Sequence, residues 1–149
     1  MAKIISVNIS NNKGEKKHDI GRCRVLRHAG LENDAHGEDE TRQISLLAAE
    51  SIEKIRQKGL PVNYGDFAEN ITTQGLILHT LPLGTKLKIG SEVVLEVTQI
   101  GKSCLKPCAI YFTVGDCVMP KEGIFARVLT EGVIASGDEI RILSQTTSS

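Results

Sequence analysis

The chain has no tryptophan, two tyrosines and three phenylalanines among 149 residues, so its core must be aliphatic, built on Val, Ile and Leu. It also has no net charge, because 18 Lys and Arg balance 18 Asp and Glu. That balance excludes a general field that would attract nucleic acid or an anionic membrane. No apolar run approaches the ~20 residues of a membrane-spanning helix. The opening stretch Met1-Ala2-Lys3-Ile4-Ile5-Ser6-Val7 interrupts its apolar residues with polar ones and carries no cleavage signal, so no secretory leader is expected. Neither a C-x-x-C pair nor a G-x-G-x-x-G after a strand is present. The usual disulfide relay and the dinucleotide-binding turn are therefore not expected. Four cysteines without a leader imply a reducing, cytoplasmic setting in which thiols stay free unless they bind metal or do redox work.

What is present is mostly strand. One domain is expected over residues 1–143, followed by a polar tail, 144–149. Lys3–Ser10 and Cys23–His28 read as strands. Lys86–Ile89 alternates polar and apolar residues, Gly90-Ser91 supplies a two-residue turn, and Val93–Ile100 returns with Val93, Leu95 and Val97 on one face. Gly123–Leu129 and Asp138–Leu143 read as closing strands, with Gly132 and Gly137 marking the turn between them. One helix stands out. Ser45 is placed to cap it, Leu46, Ala49, Ile52 and Ile55 share a face, and Gly59 with Pro61 stops it. A lone amphipathic helix among about seven strand candidates predicts a mainly β fold, a barrel with helical insertions.

Two features are chemically uneven. Lys13, Lys16, Lys17, Arg22, Arg24 and Arg27 crowd one stretch, and Glu32, Asp34, Glu38, Asp39 and Glu40 follow in the next. These read either as a solvated basic loop beside a solvated acidic one, or as basic residues that hold a small phosphorylated ligand. The second feature is the thiol cluster: Cys104, Cys108 and Cys117 fall within fourteen residues. Lys102 and Lys106 flank the first two, and a nearby ammonium favours thiolate, which is both nucleophile and metal ligand. Three buried thiols acting as small hydrophobes are one reading. Structural zinc is another, although C-x3-C-x8-C lacks an adjacent fourth ligand unless Cys23 or a histidine is recruited. A reactive thiolate that carries sulfur or ligates a soft metal is the third.

The segments Ile100-Gly101-Lys102-Ser103-Cys104, Cys108-Ala109-Ile110-Tyr111 and Gly115-Asp116-Cys117-Val118-Met119-Pro120 resemble the signature of small bacterial MOSC domains. The family is named for the C-terminal domain of molybdenum cofactor sulfurase. Gly30-Leu31-Glu32-Asn33-Asp34-Ala35-His36, Gln43-Ile44-Ser45-Leu46-Leu47 and Gly65-Asp66-Phe67-Ala68-Glu69-Asn70-Ile71 belong to the same pattern, so the resemblance runs nearly the whole chain. It implies a MOSC-type closed β-barrel with a few short helices. It also implies molybdenum cofactor (molybdopterin) binding or a sulfur-carrier role, the partner being that cofactor or its sulfur donor protein. If the chain is an enzyme, the resemblance implies a molybdenum-cofactor-dependent oxidoreductase or a sulfur transferase. The alternative is a non-catalytic binding module for a molybdenum-pathway partner or a small anion.

The family's reactive cysteine maps onto Cys108, as metal ligand or persulfide carrier, with Cys104 second and Cys117 supporting. Asn70 corresponds to an Asn beside the pterin. Arg42 and Arg127 suit phosphate or a metal-bound oxo group, and Ser10, Lys13 and Gly14 suit the cofactor phosphate. One departure stands out. Glu38-Asp39-Glu40-Thr41 occupies the place where many relatives carry an aromatic and a His, which puts an acid–base role for that His in doubt. His36 reads as a turn residue and His79 as structural.

Overall fold

The computed structural model describes residues 2–10, 17–27, 29–34, 43–59, 61–67, 69–100 and 123–144. Its centre is a seven-stranded closed barrel. The strands are β1 (Lys3–Ile9), β5 (Ile44–Ala48), β6 (Ile71–Gln74), β7 (Lys86–Ile89), β8 (Val93–Ile100), β9 (Ile124–Thr130) and β11 (Ile140–Ser144). They pair in the order β11-β7-β8-β9-β5-β6-β1. A bridge between Lys3 and Glu139 closes the ring. Backbone bonds from Ile4 N–H to Asp138 O and from Ile140 N–H to Ala2 O, both 2.9 Å, reinforce that seam. Closure removes free sheet edges, the main aggregation hazard of a β fold. Short β2 (His18–Asp19) adds to β1, while β3 (Arg22–Leu26), β4 (Gly30–Leu31) and β10 (Gly132–Ala135) form a separate sheet in the order β10-β3-β4.

The interior is aliphatic, as the shortage of aromatics requires. Inward residues of the barrel, among them Ile4, Val7, Leu46, Ile71, Leu87, Leu95 and Ile124, share one core with Val25, Leu31 and Ile134 of the small sheet. β8 shows the physics directly: Val93, Leu95 and Val97 are buried and their alternate neighbours are half-exposed. β5 is buried on both faces instead. The helix α1 (Ala49–Gln57) lies over its outer side, where Leu47 packs with Ile52, Ile55, Val62, Phe67 and Phe125.

Several sequence expectations change. Ser45 lies inside β5 and does not cap α1; the cap position is Ala48, with no side-chain cap bond. The helix does stop at Gly59, whose φ of +98° only glycine adopts cheaply and whose N–H donates to Arg56 O at 3.0 Å. The β7–β8 turn holds three residues, since Ile89 pairs directly with Val93. Gly90 there has φ +64°, and its N–H is drawn to Glu139 O at 2.9 Å. What reads as a turn between the closing strands contains β10, which leaves the barrel to pair with β3.

Candidate functional site

A buried polar cluster forms where the end of β1 meets the heads of β5 and β6. Asp34 follows β4 through Asn33, whose φ of +67° turns the chain sharply. Its carboxylate accepts from the Ser10 N–H at 3.0 Å and from Lys17 Nζ at 2.7 Å. Both side chains of the ion pair are buried, at 1% and 0% exposure for Lys17 and Asp34. Lys17 Nζ also donates to Ser10 Oγ at 3.3 Å. Burial alone would raise the Asp34 pKa. Hydrogen bonds from Lys17, the Ser10 N–H and the Asn70 amide, with the Lys17 charge, outweigh burial and hold it below the ordinary carboxylate value. The two charge runs are therefore not simply solvated, since one member of each is buried against the other.

Asn70 is the next link. Its Oδ1 accepts from Ser45 N–H at 2.9 Å and Ser45 Oγ at 3.2 Å, and its Nδ2 donates to Asn8 O at 3.2 Å. Asn8 Nδ2 in turn donates to Glu69 O and Thr72 Oγ1. Glu69 is fully buried and accepts from Gly65 N–H at 2.9 Å, Phe67 N–H at 3.2 Å and Thr72 Oγ1 at 2.8 Å. Burial pushes its carboxyl above the ordinary value despite those bonds. The loop carrying Gly65 is locked onto Lys17, whose N–H donates to Gly65 O at 2.9 Å.

The sequence candidates fall into two groups. Ser10 and Asn70 are brought to one place: Asp34 accepts from the Ser10 N–H, and Asn70 Nδ2 donates to the carbonyl of Asn8, two residues earlier at the end of β1. Arg127 lies on the outer face of β9, half-exposed, with Nε donating to Glu96 Oε1 at 2.6 Å. Cys104, Cys108, Cys117, Lys13, Gly14, Arg42 and His36 lie outside the described residues. The anchors of the cysteine segment are described, and the barrel register places them. Ile100 pairs with Ile124, Ile124 with Leu46, Leu46 with Ile71, and Ile71 with Val7, one row across five strands. Ile124, just beyond the segment's far end, is thus two strand spacings, about 10 Å, from the Ile71 that follows Asn70. On the outer face Phe125 pairs with Ser45, the residue that holds Asn70.

Cys23, the thiol that could be recruited as a fourth zinc ligand, is the one cysteine among the described residues. It faces the core from β3, its Sγ donates to Arg24 O at 3.4 Å and Glu32 O at 3.5 Å, and burial pushes the thiol pKa up. Among the described residues no three His, Cys, Asp or Glu side chains are grouped to hold a metal. No described helix is long and apolar enough to cross a membrane.

A family model described as the MOSC domain matches residues 32–141, well over half of the chain. The chain belongs to the MOSC domain family. No curated protein matches it. Solved structures do. YuaD from Bacillus subtilis is 18% identical with a TM-score of 0.77, the match covering 94% of each chain. YiiM from Geobacillus stearothermophilus is 23% identical with a TM-score of 0.74, covering 99% of this chain and 78% of that one. YiiM from Escherichia coli is 18% identical with a TM-score of 0.68, covering 99% and 72%. At those identities the likeness is one of fold.

The MOSC family is associated with molybdenum cofactor metabolism, and the described donors can be set against such a ligand. A phosphorylated pterin asks for cationic and N–H donors at its phosphate and for mixed donors and acceptors at its ring edge. The cluster has those groups in kind, and Lys17 cancels the negative charge of Asp34 that would otherwise repel phosphate. One acceptor stays unspent: Oδ1 of the fully buried Asn8 has no hydrogen bond among the described residues. Lys17, Ser45, Glu69 and Asn8 were not singled out from the sequence as site residues. Asp34 stood in the acidic run and in the family pattern, without a role of its own. The Asn33-Asp34 pair, residue types that favour turns, is the one local signal that could have flagged it.

Proposed function

We propose that this MOSC domain binds the molybdenum cofactor or serves as a sulfur carrier in its metabolism, with Cys108 as metal ligand or sulfur-bearing thiol and Cys104 second. The observation that carries this reading is the register row. It ends on Ile100 and Ile124, the described residues that flank the three-cysteine segment, so the strands that border that segment also carry Ser45 and the Asn70 it holds.

In this reading Ser10, Lys13, Arg42 and Arg127 hold the phosphate end, and Asn70 faces the pterin by exchanging one of its present partners. Arg127 takes part by releasing Glu96, an exposed contact that costs little to break. When bound, the cofactor supplies two-electron chemistry at molybdenum. The protein's own part is to keep the thiol ionised, orient the ring edge and neutralise the phosphate. For sulfur transfer, the same thiolate attacks the outer sulfur of a donor persulfide and the donor leaves as a thiolate.

Metal and pterin analysis of protein from a cofactor-competent host tests the reading. Stoichiometric cofactor in the wild type and none in Cys108→Ser supports it. If cofactor is absent, incubation with a cysteine desulfurase and intact-mass measurement decides the sulfur-carrier form, expected as a reductant-labile sulfur adduct. Neither cofactor nor adduct leaves the non-catalytic binding module.

A further inference from the structure

We propose that Asp34 is the positioning residue of this site: its buried carboxylate, neutralised by Lys17, fixes Ser10 and with it the end of β1 to which Asn70 is bonded through Asn8. The proposal rests on the reading above that Ser10 and Asn70 belong to the binding set, but its geometry stands alone. The end of β1 and the entry to β2 meet on this one side chain, through the Ser10 N–H and Lys17, and the head of β6 joins them through Asn70, whose Nδ2 donates to Asn8 O two residues before Ser10.

The lysine is fixed from behind as well. Its N–H donates to Gly65 O at 2.9 Å, and a Cβ on Gly65 would stand 2.2 Å from Lys17 O. Only glycine permits that approach, so Lys17 cannot retreat from Asp34 while the Gly65 loop is in place. A fully buried ion pair adds little stability over an apolar pair of similar volume. What it adds is a defined geometry, since a carboxylate demands its donors at set distances and directions. Ser10 is the group so directed, and Asn70 is held to the same end of β1 through Asn8.

The test compares Asp34→Asn, Lys17→Met, Lys17→Arg and the double variant Asp34→Asn/Lys17→Met. In cofactor-free protein, Asp34→Asn is expected to speed exchange of the Ser10 amide and shift the Asn70 side-chain amide resonances, leaving Leu95 and Val97 unmoved. In protein from a replete host, pterin per folded molecule is expected to fall about tenfold in Asp34→Asn and in Lys17→Met, the scale on which supporting residues act on the groups they orient. Lys17→Arg should retain it. The double variant should regain thermal stability without regaining pterin. A folded Asp34→Asn with unchanged Ser10 and Asn70 signals overturns the proposal, and so does a double variant that recovers pterin together with stability. Should Asp34→Asn not fold, Lys17→Met against Lys17→Arg gives the same comparison. If the amide signals respond but wild-type protein carries no pterin, the cofactor reading fails and the positioning role of Asp34 stands.

Discussion

At the residue scale, the buried Lys17–Asp34 pair and the buried Glu69 respond to change in opposite senses. Removing one partner of the pair strands the other as an uncompensated buried charge. Lys17→Met is therefore expected to cost about 3–5 kcal/mol, read from urea denaturation. The double variant Asp34→Asn/Lys17→Met should recover most of that loss, and equal losses in single and double would contradict the pairing. Asp34 has a folded pKa below its ordinary 3.8. Its contribution to stability is present above that value and lost as pH falls through the lower folded one. Glu69 is raised above its ordinary 4.5. Its contribution is present below that value and lost as pH rises through the folded one. Relative to Glu69→Gln, the wild type should then lose stability as pH rises from 4.5. A difference flat with pH would show that Glu69 keeps its ordinary affinity for the proton. None of this was legible beforehand, because a Lys in a basic run and an Asp in an acidic run both resemble solvated charge. Burial here is decided by where two distant loops meet.

At the element scale, the glycines of two loops look alike in sequence and differ in space. Gly65 has φ +94° and sits against Lys17 O, whereas Gly59 has φ +98° and open space around it. Gly59→Ala is expected to cost about 1–2 kcal/mol for its left-handed backbone. Gly65→Ala should cost about 2–5 kcal/mol, because a steric clash is added to that strain. Thermal midpoints of the two variants decide the ranking. The β7–β8 hairpin could be read from its alternation, since one face of each strand is buried and the other half-exposed. β5 could not. Buried on both faces, its Ile-Ser-Leu-Leu-Ala run carries no period of two and merges with the apolar stripe of α1. That is why Ser45 looked like a cap, and why its bonds to Asn70 went unread. β10 was lost among turn residues, because four residues between two glycine-marked bends give no pattern.

At the scale of the whole molecule, the MOSC barrel is uneven around its circumference. β8 and β9 pair along most of their length, while the β1–β11 seam rests on the Lys3–Glu139 bridge and a few backbone bonds. Native-state hydrogen exchange should find the amides of Ile4 and Ile140 opening at lower free energy than those of Val97 and Ala126. Uniform protection around the ring would show that the barrel opens only as a unit. The mainly β character and single helix were legible from pattern, and the ordered motifs pointed to the family. Closure was not legible, because the seam joins residues from opposite ends of the chain and local periodicity carries no information about such pairs. The polar cluster was half legible for the same reason: Ser10 and Asn70 stood out as individuals, and the Asp34 carboxylate and Asn8 that fix them did not.

The seam also sets a timetable. Ile4 cannot donate to Asp138, nor Ile140 to Ala2, until residues 138–140 have been synthesised. On the ribosome β1 can pair with β6 early, yet its backbone groups at Ala2 and Ile4 must wait for the last strand to emerge. The nascent barrel is therefore an open sheet until Asp138–Ile140 emerge, and it becomes a closed one only when β11 is released.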